Sequence, residues 1–186
     1  MKIFNTLTFA ALAATLLFQT SITRAGDHGQ RGGDNERGDR DHRDATITWT
    51  KWITKNISPP GDNGIFATVE GRAGGDIGDG TLTGEAFNAV VTQVGNTTTT
   101  VFDAVYHFVG SKHSLTVHFD AVQTKVVNGT VITVSGVVRG VVTDGWLKGN
   151  IVEGEYTRYA CTQVGSVNGF CFDGIFEIKR GSKHED

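Results

Sequence analysis

From Thr46 almost to its end the chain alternates apolar and polar residues with a period of two, and no stretch carries a helical stripe. Alternation of this kind dictates pleated strands with one buried face, because successive side chains of an extended chain point to opposite sides. The segment 114–122 shows it most cleanly. Leu115, Val117, Phe119 and Ala121 point one way, while Ser114, Thr116, His118 and Asp120 point the other. In 170–179, Phe170, Phe172, Gly174, Phe176 and Ile178 share a face, opposite Cys171, Asp173, Glu177 and Lys179. Val, Thr, Phe and Tyr dominate these runs, as strands prefer. The pattern predicts eight strands, near 46–55, 65–73, 80–93, 98–109, 114–126, 130–142, 146–162 and 169–180.

The connections between them are short. Pro59-Pro60-Gly61 breaks the first pair, Asn128-Gly129 reads as a type I′ hairpin turn, and Gly95-Asn96, Gly110-Ser111-Lys112 and Asp144-Gly145 also turn. Short links force sequential antiparallel neighbours, since parallel strands need long crossovers. The expected fold is therefore all-β, an eight-stranded antiparallel up-and-down meander closed into a barrel, with a β-sandwich as the alternative. Gly71, Gly84, Gly136, Gly154 and Gly174 recur inside strands and are expected to mark bends or bulges, which suit a coiled barrel.

The chain also repeats itself. Asp79-Gly80-Thr81-Leu82-Thr83-Gly84 returns as Asp144-Gly145-Trp146-Leu147-Lys148-Gly149. Thr92-Gln93-Val94-Gly95 returns as Thr162-Gln163-Val164-Gly165, Phe102-Asp103 as Phe172-Asp173, and Gly110-Ser111-Lys112-His113 as Gly181-Ser182-Lys183-His184. A repeat of this length reads as one supersecondary unit, here a hairpin.

The 186 residues divide into a signal peptide at 1–25, a disordered Gly/Asp/Arg-rich linker at 26–45, a single barrel domain at 46–181 and a polar tail at 182–186. The leader begins Met1-Lys2 and carries an apolar run from Leu7 to Phe18, the size of a signal-peptide core and too short for a membrane span. The linker holds no aliphatic or aromatic residue beyond alanine, so it has no apolar surface to offset its ordering entropy. The expected location is secreted or periplasmic. In an exported chain the only two cysteines, Cys161 and Cys171, are expected to form a disulfide. An outer-membrane barrel would need an unbroken apolar outer band, yet the faces opposite the apolar stripes carry His118, Asp120, Asp173, Glu177 and Lys179.

A net charge of −3 gives no basic footprint, so nucleic acid is not an expected partner. Nucleophile elbows, P-loops and His-Glu-x-x-His motifs are absent, and neither a catalytic residue nor a cofactor is assigned. Gly74–Gly80 reads as a turn before it reads as a calcium loop. His107, His113 and His118 do not share a strand face, and His28, His42 and His184 lie outside the strands, so no metal site is expected. Trp49 and Trp52 fall on opposite faces, one of them exposed or covering a barrel end.

In size, export signal and meander the chain resembles the small ligand-binding barrels, the lipocalin and avidin group and the allene-oxide-cyclase and dirigent barrels. The resemblance is one of architecture, and the lipocalin Gly-x-Trp opening is missing, since Ile47-Thr48 precedes Trp49. The expected function is binding, without catalysis, of a small apolar or amphipathic ligand or a protein partner. Phe102, Tyr106, Phe119, Glu155, Tyr156, Tyr159, Phe172 and Phe176 are the candidate cavity residues. One alternative is an isomerase-like or cyclase-like enzyme using Glu85, Glu155, Tyr156 and Tyr159. Another is a structural or envelope-associated domain with a filled interior. The second copy of the repeat alone carries both cysteines, Trp146 and the 153–159 stretch, so specialised function is expected there.

Overall fold

The computed structural model describes residues 44–61 and 63–179. The leader, nearly all of the linker, the C-terminal tail, the final Gly-Ser-Lys-His echo, His28 and His42 lie outside the described residues. Eight strands follow in order: β1 (Ala45–Asn56), β2 (Ile65–Gly75), β3 (Gly80–Val94), β4 (Thr97–Gly110), β5 (Ser114–Asn128), β6 (Val131–Gly145), β7 (Ile151–Ala160) and β8 (Phe170–Lys179). Each pairs antiparallel with the next, and β1 pairs with β8 from Ala45↔Ile178 to Trp52↔Cys171, closing the barrel. Closure excludes the sandwich and gives every strand two partners. No helix of the described residues is long and apolar enough to cross a membrane.

Two local expectations are corrected. The strand placed at 146–162 begins only at Ile151, because Gly145, Leu147 and Gly149 adopt positive φ (79°, 62° and 88°) and make Trp146–Asn150 a turn. The second Asp-Gly echo therefore caps β6, whereas the first opens β3. The β5–β6 turn is not type I′. Asn128 pairs with Val131, so the central residues are Gly129 and Thr130, and only Gly129 has positive φ (60°), the II′ arrangement with glycine first.

The apolar stripes face inward as the period of two requires. Ile47, Tyr106, Val117, Val152, Phe176 and Ile178 are wholly buried. Rings fill the interior edge to face: Tyr106 lies 4.7 Å from Phe119, Phe119 5.4 Å from Phe176, and Trp49 5.5 Å from Phe176. The strand glycines make room for them. A Cβ on Gly174 would sit 2.2 Å from the Trp49 ring, and one on Gly136 would sit 2.3 Å from that of Tyr156. None of the four register shifts falls at Gly71, Gly84, Gly136, Gly154 or Gly174, so no bulge lies there; a Cβ would meet a ring at Gly84, Gly136, Gly154 and Gly174, and the Thr50 backbone at Gly71. At the end where β2 turns into β3, Ile77 is wholly buried, and its carbonyl accepts the backbone N–H of Lys112 from the β4–β5 turn. That end is plugged. Across the outer wall, Asp103, Asp120, Arg139, Glu153 and Glu177 form one cross-strand row, where a lipid-facing barrel has its apolar band.

Candidate functional site

The half of the barrel away from Ile77 is built around one residue that breaks the pattern. Lys51 occupies an inward position of β1, in phase with Ile47, Trp49 and Ile53. It is only 6% exposed and is the one charged side chain buried among the described residues. Its Nζ lies over four rings, 4.7 Å from the centre of Tyr106, 5.2 Å from those of Trp49 and Tyr156, and 5.3 Å from that of Phe172. It donates a hydrogen bond to the Tyr106 hydroxyl. Ring faces attract a cation, but they replace little of the water a buried ammonium loses. Burial accordingly pulls the Lys51 ammonium from 10.5 down to about 7. The phenols of Tyr106 and Tyr156 are pushed up by the same burial, Tyr106 further by the charge Tyr156 would carry.

Toward the hairpin tips the inward face turns polar. Gln123 accepts the Tyr156 hydroxyl at 3.2 Å. Thr98, Thr100, Lys125 and Arg158 are half-buried, and the Arg158 guanidinium lies 4.1 Å over the Phe170 ring. β3 to β6 run 14 or 15 residues, against 10 for β7 and β8. The β3–β4 and β5–β6 hairpins therefore stand beyond the shorter pair as a wall at this end.

Tyr106, Tyr156 and Phe172 form the box around Lys51. Phe119 and Phe176 pack in the layer against Tyr106 and Trp49, and Phe102 meets Phe66 at 5.7 Å. Glu155 and Tyr159, proposed for the same cavity, are exposed on the outer wall, because alternation along β7 that turns Tyr156 inward turns both of them out. Glu85 is exposed on β3 for the same reason. Tyr159 donates to Asp173 Oδ1 at 3.3 Å, and Thr50 donates to the same oxygen at 2.6 Å. Lys51 was missed although its phase was readable: a lysine between Trp49 and Ile53 on one strand face is a lone charge on an apolar stripe.

Beyond this end, the outer wall holds a solvent-open hollow of about 480 Å³, with Val122, Val137, Glu155 and Ile175 on one side and Thr124, Ser135, Thr157 and Asp173 on the other. Trp49 and Trp52 are both buried. Trp52 faces outward but lies under the β7–β8 loop, which is tied to β1 by Val167 N–H to Ile53 O at 2.9 Å and closed by the Cys161–Cys171 disulfide. Each of the three histidines among the described residues has a local partner: His107 bonds Thr116 at 3.0 Å, His113 stacks on Trp146 at 4.2 Å and His118 lies 5.8 Å from Phe87. No group of three or more metal-ligating side chains converges among the described residues. No protein-family model, curated protein or solved structure matches this chain, so its site is read from geometry alone.

Proposed function

We propose that this chain is an exported, non-enzymatic barrel that binds a small amphipathic ligand at the Lys51 end. The observation that carries this is Lys51 itself. A buried amine that pairs with no carboxylate among the described residues costs stability that an apolar side chain of similar size would not, and a ligand would account for its presence. The surroundings fit the chemistry of small-molecule sites, which combine aromatic walls with a few placed polar groups. Here Phe66, Phe102, Phe170 and Phe172 supply apolar surface, and Lys51, Tyr106, Tyr156 and Gln123 supply the polar groups. Export is supported by the signal-peptide pattern of the first 25 residues and by a disulfide, which persists in oxidising compartments.

The enzymatic alternative called for inward carboxylates or tyrosines among Glu85, Glu155, Tyr156 and Tyr159. Tyr156 faces inward, and Glu85, Glu155 and Tyr159 face outward. The test is calorimetric titration of the barrel with alkyl amphiphiles of about ten carbons, a chain that suits a small apolar-walled site. One-to-one saturable binding, lost when Phe172→Asp places a charge in the box, is the expected result. If no amphiphile binds, the protein is the filled structural domain instead.

A further inference from the structure

We infer that the ligand's polar end is an acidic head group, a carboxylate on an otherwise apolar molecule, received by Lys51 with Arg158 and Lys125 on the same inward face. This rests on the ligand-binding reading above and names the class of ligand.

The argument starts from which charges the register turns inward. Cross-strand partners share a face, so the phase of each strand follows from its neighbours. β1 contributes Lys51, β5 contributes Lys125, which pairs with buried Val134, and β7 contributes Arg158, which pairs with Phe172. The phenols of Tyr106 on β4 and Tyr156 on β7 are the other ionisable groups of this face. The inward positions of β2, β3, β6 and β8 carry only uncharged residues. None of the eight strands turns an Asp or Glu inward. The outer wall holds carboxylates in plenty, including the row Asp103, Asp120, Glu153 and Glu177. The segregation is complete: inside, every formal charge is positive.

The hydrogen-bond inventory leans the same way. Lysine, arginine and indole nitrogens donate and do not accept. The indole N–H of Trp49, whose ring centre is 5.2 Å from the Lys51 nitrogen, is buried without an acceptor among the described residues. Neither Lys125 nor Arg158 is in an ion pair with a carboxylate among the described residues. A carboxylate accepts only, so it complements this set in both charge and hydrogen bonding. It also supplies what the box withholds from Lys51, a counter-charge that favours the ammonium. With Lys51 titrating at about 7 in the unliganded barrel, binding above neutral pH takes up a proton.

Decanoate and decanol share a chain and differ in the head group. Titrated into the intact protein at about pH 8, where decanoate is ionised and free Lys51 largely neutral, decanoate is expected to bind about tenfold or more tightly. Repeating the titration in two buffers of different ionisation enthalpy is expected to show proton uptake with decanoate alone. Lys51→Met is expected to fold, as judged by near-ultraviolet circular dichroism, and to bind decanoate no more tightly than decanol. Equal affinity for acid and alcohol overturns the acidic head group and leaves amphiphile binding standing. An acid preference that survives in Lys51→Met overturns the assignment of the head group to Lys51. Failure of both compounds to bind overturns the binding reading as well. The wild-type comparison and the proton count need no variant.

Discussion

At the scale of single residues, Lys51 sets the pH response of the molecule. Its folded value of about 7 lies below the 10.5 of the unfolded chain, so between them the unfolded chain binds a proton that the barrel does not. Stability therefore rises with pH across that window, and below it the full cost of burying the ammonium is present. The raised phenols of Tyr106 and Tyr156 act in the opposite direction, but only above about 10, where unfolded tyrosine ionises. The urea midpoint is expected to climb between about pH 7 and pH 9.5 in the wild type and to lose this climb in Lys51→Met. The same variant is expected to be more stable at neutral pH by about 1–4 kcal/mol, as when buried charges give way to apolar groups. Equal or lower stability would mean that the aromatic box solvates the ammonium well. The sequence announced the aromatic members of this box, since Tyr106, Tyr156 and Phe172 all lie on apolar stripes. It left Glu155 and Tyr159 ambiguous, because β7 carries apolar residues on both faces and only pairing with β8 resolves its phase.

At the scale of elements, the strands were legible and their margins were not. Alternation marks where a strand lies, whereas its ends depend on backbone angles that alternation does not encode. Trp146-Leu147 reads as apolar strand yet turns, with Leu147 at a φ of 62°. Four glycines show the same gap: Gly84, Gly136, Gly154 and Gly174 lie in strands where rings on neighbouring strands leave no room for a Cβ. Gly136→Ala is expected to cost about 1–3 kcal/mol by forcing the Tyr156 ring off its site, and to weaken ligand binding in the same calorimetric assay. The disulfide was legible from the cysteine count and the expected export. Its role as a clasp was not, because Trp52 is covered by a loop distant from it in sequence. Removing the bond with Cys161→Ala/Cys171→Ala is expected to cost roughly 3 kcal/mol, and to shift tryptophan emission to the red as Trp52 meets water.

At the scale of the whole molecule, closure by β1 and β8 couples the two ends of the described chain. Ala45 pairs with Ile178, so contacts between the most distant strands complete the barrel. Non-local pairing of this kind slows folding. It also makes the chain order arbitrary once the ring is shut. A permutant that links the two termini by a short flexible segment and opens at Gly95-Asn96, an exposed hairpin tip, is expected to fold to the same barrel. Its near-ultraviolet circular dichroism is expected to match the parent; an aggregated product would show that β3–β4 must form first. That adjacency has a geometric corollary. The chain enters at Ala45 and leaves at Lys179 on the plugged side, beside Ile77, while Lys51 and the hairpin tips belong to the other side. A partner fused directly at Ala45 or Lys179 would attach on that side. A partner attached there leaves the end proposed to receive the ligand turned to the medium.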